Sequence, residues 1–270
     1  MKVMGIVNVT PDSFSDGGEF FDHEKAIEHG MELVRQGADV LDIGGESTRP
    51  GADDVPLEEE LRRVMPVVEG LAGAAPVSID TTKAEVARQA IAAGARIVND
   101  VTALRGDPEM AGACAEAGVE VVLMHMLGTP RTMQEDPRYD DVVGEVSEFL
   151  AVQAGLAEAA GIAREKLWID PGIGFGKTVD HNLALLKSTR TLSEMGLPVL
   201  VGPSRKSFIG KLSGDAPEPR RLGGTIAACL AAMEGGAAMV RVHDVGPVAQ
   251  AVRVASAIEA GSADPARPRR

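Results

Sequence analysis

The feature that most constrains the fold of this chain is a regular alternation between short β-branched segments and longer helical patterns. Eight segments are apolar and short enough to be buried strands. They are residues 3–9, 40–43, 77–79, 97–98, 119–124, 167–169, 199–201 and 239–242. Strand followed by helix, repeated eight times, predicts an α/β protein with a closed (βα)8 TIM barrel of parallel strands. A doubly wound sheet also alternates, but it usually stops at about five or six strands.

No linker-like stretch divides the 270 residues, and 44% of them are hydrophobic, so we expect a single domain over residues 1–262. The basic tail 263–270 is expected to be frayed. Five glycines precede successive strands, where a left-handed residue would end each helix. They are Gly37, Gly94, Gly118, Gly161 and Gly196. Pro66 lies inside the helical pattern 57–71 and predicts a kink or two short helices there.

Charge and cysteine content exclude several classes of protein. The net charge of −13 argues against binding to nucleic acid or to an acidic membrane surface. There is no run of about 18 apolar residues, and the first residues lead directly into a strand-like segment without the regions of an export signal. Cys114 and Cys229 lack partners at metal-binding spacing, so we expect buried thiols in a reducing compartment, the cytoplasm.

Polar residues follow every predicted strand. They are Asn8, Asp42, Asp80, Asn99, His125, Asp170, Ser204 to Lys206, and Arg241 with His243. Because active sites of such barrels are built at the carboxyl ends of the strands, these side chains are expected to face one cavity. The alternative for Asp80 is that it caps the helix that follows Thr81 and Thr82. Two glycine-rich loops, 8–18 and 44–51, are long enough to form a lid over a ligand.

Five sequence blocks, 5–18, 42–50, 170–177, 204–207 and 241–245, resemble the signature blocks of dihydropteroate synthases in order and spacing. The resemblance implies a transferase of folate biosynthesis, in which p-aminobenzoate displaces pyrophosphate from 6-hydroxymethyl-7,8-dihydropterin diphosphate, and it implies a homodimer. The alternatives are a methyltetrahydrofolate-dependent methyltransferase and a non-catalytic pterin-binding relative. Residues 171–178 nearly match a phosphate-binding P-loop, but Pro171 replaces its first glycine, which argues against a nucleotide hydrolase.

The resemblance also assigns site residues. It implies that Asp170, Asp80, Asn99 and Lys206 contact the pterin edge and that Met124 forms a wall of its pocket. Arg241 is assigned to the pterin face and the diphosphate, His243 to the diphosphate, and Asn8 to Mg²⁺ held chiefly by the substrate. Thr48, Arg49, Pro50, Phe175 and Ser207 are assigned to the surroundings of p-aminobenzoate and the diphosphate. Lys206, Arg241, His243 and Asp80 form the expected catalytic set.

Several of these residues have structural alternatives. Phe175 and Met124 could belong to the core, and Lys206 could be a surface lysine. Arg241 could form an ion pair with Asp244 instead of contacting a ligand. His125 is expected to be a packed, hydrogen-bonded side chain and not a metal ligand or a general acid.

Overall fold

The computed structural model describes residues 1–10, 23–48 and 51–262, and these form a barrel of eight parallel strands. The strands are β1 (Lys2–Asn8), β2 (Val40–Gly44), β3 (Val77–Asp80), β4 (Ile97–Asp100), β5 (Glu120–Met124), β6 (Leu167–Asp170), β7 (Leu200–Val201) and β8 (Met239–Val242). The sequence predicted each of them, with differences only at the ends. The predicted barrel is therefore confirmed. The tail 263–270 lies outside the described residues.

The strands follow the order β6-β5-β4-β3-β2-β1-β8-β7, in which consecutive strands are hydrogen-bonded. The barrel closes between β6 and β7 through a parallel bridge between Ile169 and Val199, where the Ile169 N–H donates to the Pro198 carbonyl at 3.0 Å. By contrast, β1 and β2 pair over five positions, Met4–Asn8 with Val40–Gly44. The β6–β7 junction thus has the shortest pairing in the barrel, a single bridge, followed by β7 and β8, which pair over two positions.

Helices cover the outside of the barrel. They are α1 (His23–Gln36), α2 (Leu57–Leu71), α3 (Ala84–Ala92), α4 (Met110–Ala117), α5 (Val142–Ala159), α6 (Val179–Lys187), α7 (Thr189–Ser193), α8 (Ser207–Leu212), α9 (Leu222–Glu234) and α10 (Val245–Ala260). Short 3-10 helices occupy Arg164–Lys166 and Glu218–Arg220. Of the two expectations at Pro66, a kink or two short helices, the second is wrong, because α2 is one continuous helix. A single proline removes only one donor, whereas Val64, Val67 and Leu71 are fully buried and hold both halves against the barrel.

Two separate apolar cores follow from the alternation of side chains along the strands. The larger core lies between strands and helices and includes Val3, Leu41 and Ile79. The smaller one fills the inside of the barrel. It consists of Met4, Val40, Ile97, Val122, Trp168, Leu200 and Met239. This inner layer closes the lower part of the barrel, so a ligand can enter only the upper part.

The remaining expectations about single residues agree with the structure. Each of the five predicted capping glycines has a positive φ angle. Cys114 and Cys229 are buried free thiols. Among the described residues, no helix has the length and apolar character that crossing a membrane requires.

Candidate active site

A polar layer lies directly above the apolar layer inside the barrel. Residues two positions apart on a strand point to the same face. Each polar or wall residue therefore stands above an inner-core residue of its own strand: Asp42 above Val40, Asn99 above Ile97, Met124 above Val122, Asp170 above Trp168, and Arg241 above Met239. Four of these five were predicted as substrate contacts. Because alternate side chains of a strand point to the same face, these five side chains all lie inside the barrel, near its mouth.

Arg241 is at the centre of a buried hydrogen-bond network. Its Nε donates to Asp42 Oδ2 at 2.5 Å, and its Nη2 donates to Asp80 Oδ2 at 2.7 Å. Asn99 Nδ2 donates to the same Asp42 oxygen at 3.1 Å. The second Asp42 oxygen, Oδ1, is buried and has no hydrogen-bond partner in the described part of the chain. The network fixes the guanidinium in one plane across the cavity.

The charges of this network are strongly perturbed by burial. Burial raises the pKa of Asp80 to about 7, although the Arg241 guanidinium acts in the opposite direction. Burial alone would lower the pKa of Arg241, but the carboxylates of Asp42 and Asp80 raise it above its ordinary value. Arg241 therefore stays charged. Two carboxylates share one guanidinium, so further hydrogen-bond donors from a ligand would stabilise their ionised form.

Asp170 is the second buried carboxylate that faces the cavity. It is 5% exposed, and its Oδ1 accepts a hydrogen bond from the Gly172 N–H at 2.7 Å. Burial raises its pKa to about 6, while the Gly172 N–H and the charge of Lys206 oppose this shift. Gly172 has φ +66°, and a Cβ there would lie 1.9 Å from the His125 carbonyl oxygen. Only glycine allows the backbone to turn back so closely onto the Asp170 carboxylate.

Lys206, Phe175 and Met124 form one side of the cavity. The Lys206 Nζ lies 4.0 Å from the centre of the Phe175 ring, which is the geometry of a cation–π contact. Phe175 packs against a small buried cluster of Val101, Met124, Met126 and Met133. Phe175 is only partly buried, so one part of its ring belongs to this cluster and another part remains accessible from the cavity.

His243 is oriented by Ser204. The backbone N–H of His243 donates to Ser204 Oγ at 3.2 Å, and the same Oγ lies 3.0 Å from His243 Nδ1. A hydroxyl that accepts the first bond can donate its proton to Nδ1, which leaves the imidazole proton on Nε2. Nε2 is then the donor that His243 presents. Between Ser204 and Lys206, Arg205 has the unusual φ angle of 57°.

Hydrogen bonds on both sides stabilise this strained turn. The Arg205 N–H donates to Thr225 Oγ1 at 3.0 Å, and the Arg205 carbonyl accepts from Arg221 Nη1 at 2.8 Å. The Arg205 guanidinium pairs with Asp244 through Nε at 2.9 Å and Nη2 at 2.6 Å. The turn is therefore held where it presents Ser204 and Lys206 to the cavity.

Of the remaining predicted residues, the three that the structure describes are less buried than Asp42 and Asp170. Asn8 ends β1 and is half-buried, and Thr48 is half-buried in the segment after β2. Ser207 is exposed and begins α8. Arg49 and Pro50 lie outside the described residues, as does the first long loop from residue 11.

Two alternatives from the sequence are contradicted. Asp244 pairs with Arg205, so it is not the partner of Arg241. Asp80 does not cap a helix, because α3 begins only at Ala84, whose N–H donates to Asp107 Oδ2 at 2.9 Å. His125 is 6% exposed, and its Nδ1 lies 3.0 Å from Lys177 Nζ. The expectation of a packed, hydrogen-bonded histidine is therefore confirmed.

Sequence reasoning missed Asp42 as the partner of Arg241. Asp42 was recognised as a strand-end carboxylate, but Asp244, only three positions from Arg241, was weighed as the ion-pair partner. The signal that points to Asp42 is topological. Closure of the barrel makes β1 a neighbour of both β2 and β8, which brings together residues 199 positions apart.

Comparison with known proteins agrees with this geometry. The pterin binding enzyme family matches residues 4–243. The dihydropteroate synthase of Escherichia coli is 50% identical over 257 residues, covering 94% of this chain and 90% of that protein. The structure of Xanthomonas albilineans dihydropteroate synthase with 4-aminobenzoic acid has a TM-score of 0.90 and 53% identity, covering 96% of this chain and 93% of that one. A structure from the same organism in complex with 7,8-dihydropteroate has a TM-score of 0.87 and 50% identity over the same shares. This chain belongs to the dihydropteroate synthases.

Proposed function

We propose that this chain transfers the pterinylmethyl group of 6-hydroxymethyl-7,8-dihydropterin diphosphate to the amine of p-aminobenzoate, giving 7,8-dihydropteroate and pyrophosphate in folate biosynthesis. The observation that carries the proposal is the polar layer inside the barrel mouth, in which the buried Asp42 and Asp170 lie with the partly buried Asp80 and Arg241. The solved relatives that bind 4-aminobenzoic acid and 7,8-dihydropteroate support both substrates.

The pterin is recognised by its donor-rich edge. This edge carries a guanidine-like pair of N–H groups, which a fixed carboxylate accepts in a bidentate way. Asp170 takes this pair, because one of its oxygens is already oriented by the Gly172 N–H at 2.7 Å. Asp80 and Asn99 accept or donate along the rest of the edge, and Lys206 donates to a ring acceptor. Met124 and the Arg241 guanidinium enclose the faces of the ring.

The chemistry needs positioning and charge stabilisation more than it needs a base. An aniline nitrogen is unprotonated near pH 7, so it attacks the exocyclic carbon directly. The new C–N bond replaces the C–O bond to the diphosphate, which departs either before or during the attack, and the amine loses one proton to solvent. Negative charge develops on the leaving oxygen. Arg241 and His243 donate hydrogen bonds to it: Arg241 is fixed in the site by Asp42 and Asp80, and His243 is oriented by Ser204.

p-Aminobenzoate binds nearer the mouth. Phe175 forms one wall, and Ser207 together with Thr48, Arg49 and Pro50 of the second loop completes the subsite. The cation–π contact between Lys206 and Phe175 supports a position of this wall next to the pterin subsite. The two substrates therefore meet with the amine close to the exocyclic carbon.

We propose that Mg²⁺ binds together with the diphosphate substrate and is held chiefly by its phosphate oxygens. Among the described residues, no group of three or more His, Cys, Asp or Glu side chains is placed to hold a metal ion. The single amide oxygen of Asn8 fits a supporting ligand, with phosphate oxygens and water completing the coordination. The ion would neutralise charge on the diphosphate. Magnesium should accordingly bind weakly in the absence of the diphosphate substrate.

We also propose that the chain is a cytoplasmic homodimer. The buried free thiols Cys114 and Cys229 suit a reducing compartment. Val254 and Ile258 on α10 are 54% and 75% exposed, which supports an association through late helices. Sedimentation equilibrium of the wild-type chain tests the dimer.

The activity is tested by mixing the purified chain with both substrates and Mg²⁺, measuring pyrophosphate and dihydropteroate together. We expect equal amounts of the two products. Asp170→Asn should lose them, and Asp180→Asn, an exposed acid in the first turn of α6, should not. Pyrophosphate release without p-aminobenzoate incorporation would indicate a hydrolase. Pterin binding without either product would indicate a non-catalytic relative.

A further inference from the structure

The lysine of the P-loop-like segment 171–178 points into the protein and not towards solvent. Lys177 is 3% exposed. Its Nζ lies 3.0 Å from His125 Nδ1 and donates to the Phe175 carbonyl at 3.0 Å. No carboxylate of the described residues forms an ion pair with it. Burying an unpaired cation is costly, and an apolar side chain at such a position is usually at least as stable. Stability therefore does not account for a lysine here.

His125 is suited to hold this ammonium group. Burial lowers the pKa of His125 to about 3, and the charges of Lys177 and Arg105 act in the same direction. The ring is thus neutral, and Nδ1 can accept a hydrogen bond from Lys177. Burial also lowers the pKa of Lys177 to about 7, with Asp170 opposing the shift and Lys206 adding to it. The His125 ring itself packs edge-on against Phe149, with ring centres 4.9 Å apart.

The group that Lys177 fixes is the peptide of Phe175. Segment 171–177 contains little regular hydrogen bonding, and Gly176 has φ +65° with a Cβ position only 2.6 Å from Leu127 Cβ. Side chains from the segment after β5 hold its other carbonyls: Gln134 Nε2 donates to Gly174 at 2.6 Å and Tyr139 OH donates to Gly176 at 2.9 Å. Lys177 holds the carbonyl of Phe175 itself, and this sets the direction in which the Phe175 ring projects.

We propose that Lys177 is a positioning residue for p-aminobenzoate, acting through Phe175: the ammonium group, held by His125, fixes the Phe175 carbonyl and aims the ring at the second substrate. The inference rests on the proposed function, in which Phe175 forms the wall of that subsite. Lys177 itself does not touch substrate. Its effect should therefore appear mainly in the binding of p-aminobenzoate, with only a small effect on pterin binding through the charge that Lys177 adds near Asp170.

The test compares Lys177→Met with wild type in steady-state kinetics. Methionine preserves the length of the side chain and removes the donor. We expect the KM for p-aminobenzoate to rise by about tenfold, in the range of one lost charge-assisted hydrogen bond. The Kd for the dihydropterin and the kcat should change by no more than about twofold. Lys187→Met, an exposed lysine at the end of α6, is the matched control and should behave as wild type.

A double-mutant cycle assigns the effect to Phe175. Phe175→Leu alone should raise the same KM, and adding Lys177→Met to it should have no further effect. Independent, multiplicative effects would overturn the proposal, and so would an unchanged KM beside an altered melting temperature. Lys177→Gln keeps a neutral donor, so its KM for p-aminobenzoate should lie between those of wild type and Lys177→Met. This variant replaces Lys177→Met in the test if Lys177→Met does not fold. If wild type itself forms no dihydropteroate, the proposed function fails and this inference with it, whereas an active wild type with an unaffected Lys177→Met variant overturns the inference alone.

Discussion

At the scale of single residues, the guanidinium of Arg241 has two roles in the site. Arg241 is held by Asp42 and Asp80 on two of its nitrogens, and its flat surface spans the cavity. A lysine would retain the charge but cannot hold both carboxylates and a ligand in fixed directions. Arg241 is therefore at once part of the architecture and a donor to the leaving group.

Arg241→Lys should lower kcat/KM by roughly ten- to a thousandfold, because charge on the diphosphate develops at the transition state. Steady-state kinetics and a melting curve on one preparation measure the two roles separately. A lowered melting temperature with normal kinetics would mean that Arg241 is purely structural.

Asp170→Asn should abolish pterin binding, at a cost of about 2 to 5 kcal/mol, because an amide N–H would face the ligand's own donors. The folded-state pKa of about 6 lies above the ordinary 3.8, so ionising Asp170 destabilises the empty protein as the pH rises through that interval. At pH 8 the melting temperature of Asp170→Asn should thus be at least as high as that of wild type. Any gain in melting temperature should disappear near pH 4. Titration calorimetry and thermal melts measure these two effects. Near-wild-type pterin affinity would remove Asp170 from the pocket.

The sequence was sufficient to place each polar residue at a strand end but not to pair them. Asp80, Asn99, Asp170, Lys206 and Arg241 were all predicted, since the positions after barrel strands share one face. Their hydrogen-bond partners come from closure of the barrel, and closure is not a local property of the chain.

At the scale of elements, strands form the floor of the site and loops form its mouth. The strands were predictable because buried parallel strands are apolar and β-branched, and the glycines marked the helix ends. Pro66 misled the prediction, because packing of Val64, Val67 and Leu71 outweighs the loss of one helical hydrogen bond. Tertiary packing of this kind has no signature in a short window of sequence.

This layering predicts an order of binding. Asp42, Asn99 and Asp170 are buried below, whereas Thr48 and Ser207 lie nearer the opening. p-Aminobenzoate bound first would obstruct the pterin subsite, and we expect its own subsite to be complete only when diphosphate is bound beside it. Labelled p-aminobenzoate should therefore bind poorly alone and tightly with dihydropterin, pyrophosphate and Mg²⁺. Equal binding under both conditions would contradict the order.

At the scale of the whole molecule, the barrel concentrates perturbed acids in a protein of net charge −13. Asp80 and Asp170, with pKa values raised to about 7 and about 6, are partly protonated in the empty site near pH 6.5. The donor edge of a pterin stabilises their ionised forms and lowers both pKa values. Binding should consequently release protons, and pterin affinity should increase as the pH rises from 5 towards 7.

Calorimetry in buffers of different ionisation enthalpy measures this release. The apparent binding enthalpy at pH 6.5 should differ between Pipes and Bis-Tris, and the corresponding difference between two buffers suited to pH 9 should vanish. Identical enthalpies at pH 6.5 would show that both acids are already ionised in the empty protein.

The narrow closure between β6 and β7 has a consequence for how the protein opens. Asp170 ends β6 and Lys206 follows β7, so a pterin bound to both, as proposed above, would span this junction. With one bridge between Ile169 and Val199, the junction is the part of the sheet that separates most readily. In hydrogen exchange, the Ile169 amide should therefore take up deuterium faster than the amides that pair β1 with β2. Bound pterin should slow exchange at Ile169 much more than exchange between β1 and β2. Bound pterin would thus add a connection across the junction that has only a single bridge between its strands.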